Sequence, residues 1–172
     1  MSDLIPAWVD GTLTPVDKRE VHARGLRHKA IAVFVIAGTQ LLIQRRAAGK
    51  PHGAGLWANT CCTHPLWGED DAACAARRLH EELGITGLTL QAAGSVEYRA
   101  EVGGGMVEHE VVALFRATAG PELPWALNPA EVQAARWVDL GALEAEIAAT
   151  PEVFTPWLRI YLAEHASQIF GT

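Results

Sequence analysis

The chain has 172 residues, of which 49% are apolar and 20% charged, and its formal net charge is −6. That size is one domain with enough apolar side chains to bury a core. The negative balance argues against nucleic acid as a general partner, and no stretch reaches the roughly 18 consecutive apolar residues of a membrane span. The first segment, "MSDLIPAWVDGTLTPVDK", has an early acid and no long apolar run, so no secretory signal is expected. "DKREVHARGLRHKA" follows and carries His22 and His28, each by itself a surface histidine. Residues 29–36, "KAIAVFVI", are apolar and β-branched and predict a buried strand. "AGTQ" turns the chain, and residues 41–44 return as a second strand. "RRAAGKPHGAG" predicts a basic loop punctuated by Gly and Pro.

"NTCCTHP", residues 59–65, comes next. Adjacent cysteines would pair only through a strained ring. The three cysteines, Cys61, Cys62 and Cys74, lack both a disulfide framework and the paired spacing of a zinc knuckle. An odd count points to a reducing, cytoplasmic setting. From Asp70 to Leu83 the pattern is helical, with Ala72, Ala76, Leu79 and Leu83 on one stripe. Asp70 and Asp71 suit the first turn and Gly84 the position past the last. Cys74 lies off that stripe. "GSVEYRAEV" and "MVEHEVVALFRA" predict strands on either side of "GGG" at 103–105. "RWVDL" predicts a short strand before a helix over about 141–149, and a last helix is expected over about 155–170. His52, His80 and His165 read as surface histidines. The mixture is α/β or α+β, a mixed central sheet flanked by helices.

Three stretches carry chemistry. In "TCCTHPLWGEDDAACAARRLHEELGITG", residues Glu69, Arg77, Glu81, Glu82, Gly84 and Ile85 fall on the Nudix box, G-x5-E-x7-R-E-U-x-E-E-x-G-U, where U is apolar. Thr63 stands where the first Gly belongs, and Arg78 stands where a Glu belongs. The competing reading is a solvated helix with Arg77–Glu81 and Arg78–Glu82 pairs. Clustered carboxylates on such a helix hold Mg²⁺, and a cation at position 78 removes one ligand. It suits a diphosphate oxygen instead, beside a Mg²⁺ on Glu82. In "VEHEV", Glu108 and Glu110 face one side of a strand about 7 Å apart, and a cation would relieve their repulsion; the alternative is an exposed edge strand. His109 faces the other way. With His22, His28 and His64 the two carboxylates would make a three-His, two-Glu site suited to Mn²⁺, Mg²⁺ or Zn²⁺.

Together with "HARGLRHKA", "LLIQRRAAGK", "GLWANTCCTHP", "EYRAEV" and "FTPWL", these stretches resemble the type 1 isopentenyl-diphosphate isomerases, a family of Nudix-type fold, nearly end to end. The resemblance implies an isomerase of isoprenoid precursor biosynthesis that interconverts isopentenyl and dimethylallyl diphosphate. The alkene is protonated and the resulting tertiary carbocation loses a proton. The catalytic groups implied are Cys62, Glu110 and Tyr98. Metal ligands implied are His22, His28, His64, Glu108 and Glu110, with Glu82 and the Cys62 carbonyl at a second site whose Mg²⁺ arrives with the diphosphate. Lys18, Arg46, Lys50 and Arg78 would clamp the diphosphate, and Trp157 would face the cation. The whole chain, 1–172, is expected to be one domain, with residues 1–28 an N-terminal extension that contributes to the active site. It would act on a small molecule as a monomer or small homo-oligomer, with neither nucleic acid nor membrane as partner. A Nudix hydrolase of a diphosphate and an inactive prenyl-diphosphate-binding domain are the alternatives. Retention of Cys62, Tyr98 and Glu110 speaks against the last.

Cys62 and His64 share one side of an extended chain. A thiol at the substrate and an imidazole at a metal then fit in one short segment, and Cys61 turns away to pack.

Overall fold

A computed structural model describes residues 3–171; residues 1, 2 and 172, the ends of the expected domain, lie outside it. The fold is built on strand β3 (Arg27–Ala37). Its run is apolar because both faces are covered, the pattern of a strand in the middle of a layered domain. Ala30, Ala32 and Phe34 point into one core and Ile31, Val33 and Val35 into the other. Strand β8 (Met106–Thr118) lies parallel along the whole of one edge, from Arg27 opposite His109 to Ile36 opposite Thr118. Strand β7 (Gln91–Gly103) pairs antiparallel with β8 and turns back at Gly103–Met106, which is the expected hairpin at the three glycines.

The other edge of β3 is shared. Strand β4 (Gln40–Arg46) pairs with it only next to the turn, at Ile36–Leu41 and Ala37–Gln40, and then diverges to pair with β9 (Val132–Asp139). Two fully buried polar residues fill the resulting gap. The Thr60 hydroxyl donates to the Leu42 carbonyl (2.6 Å) and accepts from the Val35 amide (2.9 Å). Asn59 Nδ2 donates to the Val33 and Cys61 carbonyls, both at 3.1 Å. Side chains thus supply the hydrogen bonds that the missing ladder would have made. Strands β5 (Trp57–Ala58) and β6 (Cys61–Thr63) flank this pair, β6 lying antiparallel on β3 with Cys62 opposite Ala32. Nearer the N-terminus of β3, strands β1 (Leu4–Val9) and β2 (Thr12–Asp17) form a hairpin, and β1 meets β3 at Ala7–His28. Neither this hairpin nor helix α1 (Lys18–Arg24) was expected from the sequence.

Helix α2 (Asp71–Leu83) covers one face of the sheet. Asp70 caps it by accepting from the Ala73 amide, and Gly84 ends it with φ +65°. A Cβ at Gly84 would lie 2.9 Å from the Ala126 carbonyl, so conformation and space both demand glycine. The expected apolar stripe needs correction. Ala72 and Ala76 are exposed, and the buried side consists of Cys74, Ala75, Leu79, Glu82 and Leu83. Alanine is small enough to sit on either side, so the two large residues, Leu79 and Leu83, set the seam, each worth about 1.5–3 kcal/mol when buried. Cys74 is therefore a core residue. The opposite face carries α3 (Leu140–Ala149), α4 (Pro156–Glu164) and α5 (Ala166–Phe170). The single last helix expected over 155–170 is two helices, broken at His165, whose φ −130° and ψ 12° are not helical. Among the described residues no helix is long and apolar enough to cross a membrane.

Candidate active site

Three histidines from separate elements meet two carboxylates on β8. His22 comes from α1, His28 from the start of β3 and His64 from just beyond β6. Their ring centroids lie 4.9–5.0 Å apart. The period-2 alternation of β8 buries Glu108 and Glu110 and leaves His109 on the opposite face, beside Glu97. His64 Nε2 is 3.0 Å and His28 Nε2 3.5 Å from Glu110 Oε1; His22 Nε2 is 4.0 Å from Glu108 Oε1. Two of these rings are held from behind. His22 Nδ1 is 2.7 Å from the Lys18 carbonyl and His28 Nδ1 is 2.7 Å from the Leu26 carbonyl, so each Nδ1 carries the proton and donates. Each Nε2 is left a lone pair. Those two Nε2 atoms are buried without a hydrogen-bond partner. Ligand atoms of His22, His28, His64 and Glu110 lie within 4.8 Å of one another. Inward imidazole lone pairs beside buried carboxylates, with the outer ring nitrogens tied to carbonyls, are what a divalent cation requires. The donor set fits a metal. Burial and neighbouring cationic groups, Lys18 foremost, hold His64 well below the usual imidazole range, which keeps it neutral for ligation. Burial pulls on His28 in the same direction, but the nearby Glu110 carboxylate outweighs it and raises that ring.

The same cavity is lined by Cys62, Tyr98, Glu110, Trp157, Lys18, Arg46, Lys50 and Arg78, which brings together the residues expected at the substrate. The alternation in β6 is as expected. Cys61 is fully buried against α2, and Cys62 faces the cavity. All three thiols are free. Burial, with the Glu110 charge behind it, pushes the Cys62 thiol well above its ordinary value, so it carries its proton at neutral pH. Cys62 Sγ lies 2.9 Å from Asn59 Oδ1 and donates to it. Both Asn59 amide hydrogens are committed to carbonyls, which fixes the oxygen toward the thiol. The Tyr98 hydroxyl is 2.7 Å from Glu108 Oε2 and 2.8 Å from Glu110 Oε2. It has one proton and donates to one carboxylate at a time. Trp157 is buried, with the Arg46 guanidinium 5.1 Å from its ring centroid.

Glu82 is buried at the foot of the clamp. Gln44 Nε2 donates to its Oε2 (2.8 Å), Cys61 Sγ is 3.6 Å from the same oxygen, and Arg78 Nη2 donates to its Oε1 (2.6 Å). Burial opposes the charge on Arg78, but Glu82, Glu81 and Glu131 outweigh it. Burial and the neighbouring Lys50 and Arg78 push the Lys18 ammonium below its ordinary range, although Asp3 pulls the other way. The Arg77–Glu81 and Arg78–Glu82 pairs expected of a solvated helix exist as well. Arg77 reaches Glu81 but is held chiefly by Glu69, with Nε–Oε1 2.6 Å and Nη2–Oε2 2.8 Å.

Two residues of this site were missed. His52 is buried, not at the surface, with Nε2 2.7 Å from Glu108 Oε1. Nothing local in "GKPHGAG" marks it, because the loop's path over the cavity is set by what lies beneath. Glu131 holds Lys50 by a short ion pair and Arg78 at 3.3 Å. A lone acid in "NPAEVQ" carries no signal of its partners. His80 is exposed and His165 partly so.

A NUDIX domain model matches residues 26–158. The chain is 64% identical to an isopentenyl-diphosphate Delta-isomerase of Cereibacter sphaeroides, over 99% of this chain and 97% of that one. It is 62% identical to a protein of that name from Dinoroseobacter shibae, over 100% and 98%. Among solved structures, DR0079 from Deinococcus radiodurans superposes with a TM-score of 0.74 at 15% identity, over 93% of this chain and 96% of that one. A MutT protein from Methanosarcina mazei superposes with a TM-score of 0.62 at 18% identity, over 80% and 91%. At those identities the structures share the fold alone.

Proposed function

The chain belongs to the Nudix family and, within it, to the isopentenyl-diphosphate Delta-isomerases, and from that premise we propose how its residues do the work. The enzyme interconverts isopentenyl and dimethylallyl diphosphate. The reaction needs a proton donor and a proton acceptor on opposite faces of an unactivated alkene, in a recess that keeps water from the cation between them. The observation that carries the assignment of roles is the shared cavity. A protonated thiol, Cys62, and a carboxylate, Glu110, line it together, with Tyr98 bridging Glu110 to Glu108.

In the proposed cycle the alkene lies between Cys62 and Glu110. One of them protonates the double bond, and the other takes a proton from the neighbouring carbon. Tyr98 relays a proton to or from Glu110, and Trp157 offers its ring to the tertiary cation, a contact worth about 2 kcal/mol when desolvated. Asn59 holds the thiol in place. Lys18, Arg46, Lys50 and Arg78 bind the diphosphate and so fix the alkene relative to the two proton carriers. His22, His28, His64, Glu108 and Glu110 would hold a divalent cation, Mn²⁺, Mg²⁺ or Zn²⁺. Bound there, it would neutralise the two carboxylates and fix the direction of Glu110. Glu82, with the Cys62 carbonyl, would meet a Mg²⁺ brought by the diphosphate. Residues 1–28 serve as an extension of a single domain. The start of the family match at residue 26 and the entry of Lys18 and His22 into the site support this. Three unpaired thiols suit a reducing, cytoplasmic setting.

The test is NMR of isopentenyl diphosphate with protein and Mg²⁺ in D₂O. Dimethylallyl diphosphate carrying deuterium is expected. An unchanged alkene with phosphorus signals moving to monophosphate would overturn the proposed roles.

A further inference from the structure

His52 lies in the loop between β4 and β5, and the reaction proposed above gives it no part. Its Nε2 is 2.7 Å from Glu108 Oε1, closer than any of the three cluster histidines comes to a carboxylate. With the proton on His52 Nε2, this contact is a donation to the carboxylate, which can only accept. Glu108 then has a neighbour at each oxygen, His52 at Oε1 and, at Oε2 (2.7 Å), the Tyr98 hydroxyl that it shares with Glu110. Of the two, only the His52 contact is not shared with Glu110, and the same Oε1 lies 4.0 Å from His22 Nε2.

The loop is fitted to this purpose. The His52 carbonyl accepts from Arg46 Nη2 at 3.0 Å, and its ring stands edge-on to Trp157 with centroids 6.0 Å apart. Gly53 turns the chain at φ +62°, and a Cβ there would lie 3.1 Å from both Arg46 Nε and the Trp157 ring. His52 groups with His22 and Glu108 but not with the His22–His28–His64–Glu110 set. His22 has one free lone pair and cannot serve two ions, so this second group is no second metal position. His52 stands behind Glu108 instead.

We propose that His52 is a positioning residue for the metal centre: its Nε2–H holds Glu108 in the orientation in which that carboxylate ligates the cation. The proposal rests on reading the His/Glu group as a metal site. It also ties the loop carrying Lys50 to the metal, since one segment touches both.

The experiment titrates Mn²⁺ into metal-free protein, reads free Mn²⁺ by EPR and melts each variant in parallel. His52→Ala is expected to weaken Mn²⁺ binding on the order of 10-fold or more, the usual effect of losing such a support. His52→Gln, whose amide N–H reaches about as far, is expected to stay within about threefold of the natural protein. Mn²⁺ bound by His52→Ala as tightly as by the natural protein would overturn the proposal, whatever the melting temperature does. So would His52→Gln binding as weakly as His52→Ala at an unchanged melting temperature, because the ring and not its N–H would then matter. His28→Ala separates the two levels of the argument. It should abolish tight binding; if it does not, the metal reading beneath the proposal is wrong.

Discussion

Replacing Glu131 by Gln should tighten diphosphate binding. Lys50 and Arg78 both spend their charge on this carboxylate, and the three side chains are only 18%, 16% and 23% exposed for Lys50, Arg78 and Glu131. Burial works against the Glu131 charge, but Lys50 and Arg78 outweigh it and hold the carboxyl below its usual range, so it is ionised at neutral pH. A unit pair about 4 Å apart is worth about 4 kcal/mol at an effective dielectric near 20, before desolvation and solvent screening. After those losses a partly wet pair keeps about 1–2 kcal/mol. An incoming diphosphate must displace Glu131 and forfeit that amount. The Glu131→Gln variant would keep the backbone bond from the Ala47 amide to the carbonyl at this position and release the two cations. The expected result is a KM for isopentenyl diphosphate lowered roughly 5- to 20-fold, with the melting temperature falling slightly. The assay is KM at fixed Mg²⁺ together with Kd for inorganic pyrophosphate, repeated across a salt series, where the gain should shrink as salt rises. A KM that is unchanged or raised in a fully folded variant would refute the reasoning. Glu131 would then be aligning the cations for the substrate rather than occupying them.

Cys62→Ala should abolish turnover with an unchanged melting temperature, whereas Cys61→Ala should keep activity within a few-fold and lose about 1 kcal/mol from a small cavity; equal losses of activity would mean the wrong thiol is assigned. Chelation by EDTA should stop turnover and a divalent cation restore it, and indifference to EDTA would remove the metal argument. Glu69 is held at about 2 by its two bonds from Arg77, far below the 4.5 of a free Glu. A depressed carboxyl stabilises the fold fully above pH 4.5, and that contribution is lost as pH falls toward 2. Glu69→Gln should therefore cost about 1–2 kcal/mol at neutral pH, discounted for the wet edge of the pair, and flatten the acid limb of a pH–stability curve. Its Mn²⁺ affinity should not change, and a changed affinity would make Glu69 part of the site.

Local period and spacing carried much of this site in the sequence. Alternation along a strand decides faces without any knowledge of the fold, so Cys62 and His64, and likewise Glu108 and Glu110, were legible as pairs. An uninterrupted apolar run in β3 announces a strand covered on both sides, and the box spacing announces a helix with Glu82 and Arg78 one turn apart. Everything that depends on which surfaces meet was decided by the tertiary structure. The alanines of α2 fit either side, so the seam moved to Cys74, Ala75, Leu79, Glu82 and Leu83 when the helix met β3. The divergence of β3 and β4 needed Asn59 and Thr60, whose partners on those two strands are backbone groups 18–26 residues away. His22, His28 and His64 are made one group by α1 packing against β8 and by β6 and β8 flanking β3. His52 and Glu131 belong to the site because loops take their course from the cavity beneath them, a property of three-dimensional neighbours that no local residue pattern encodes.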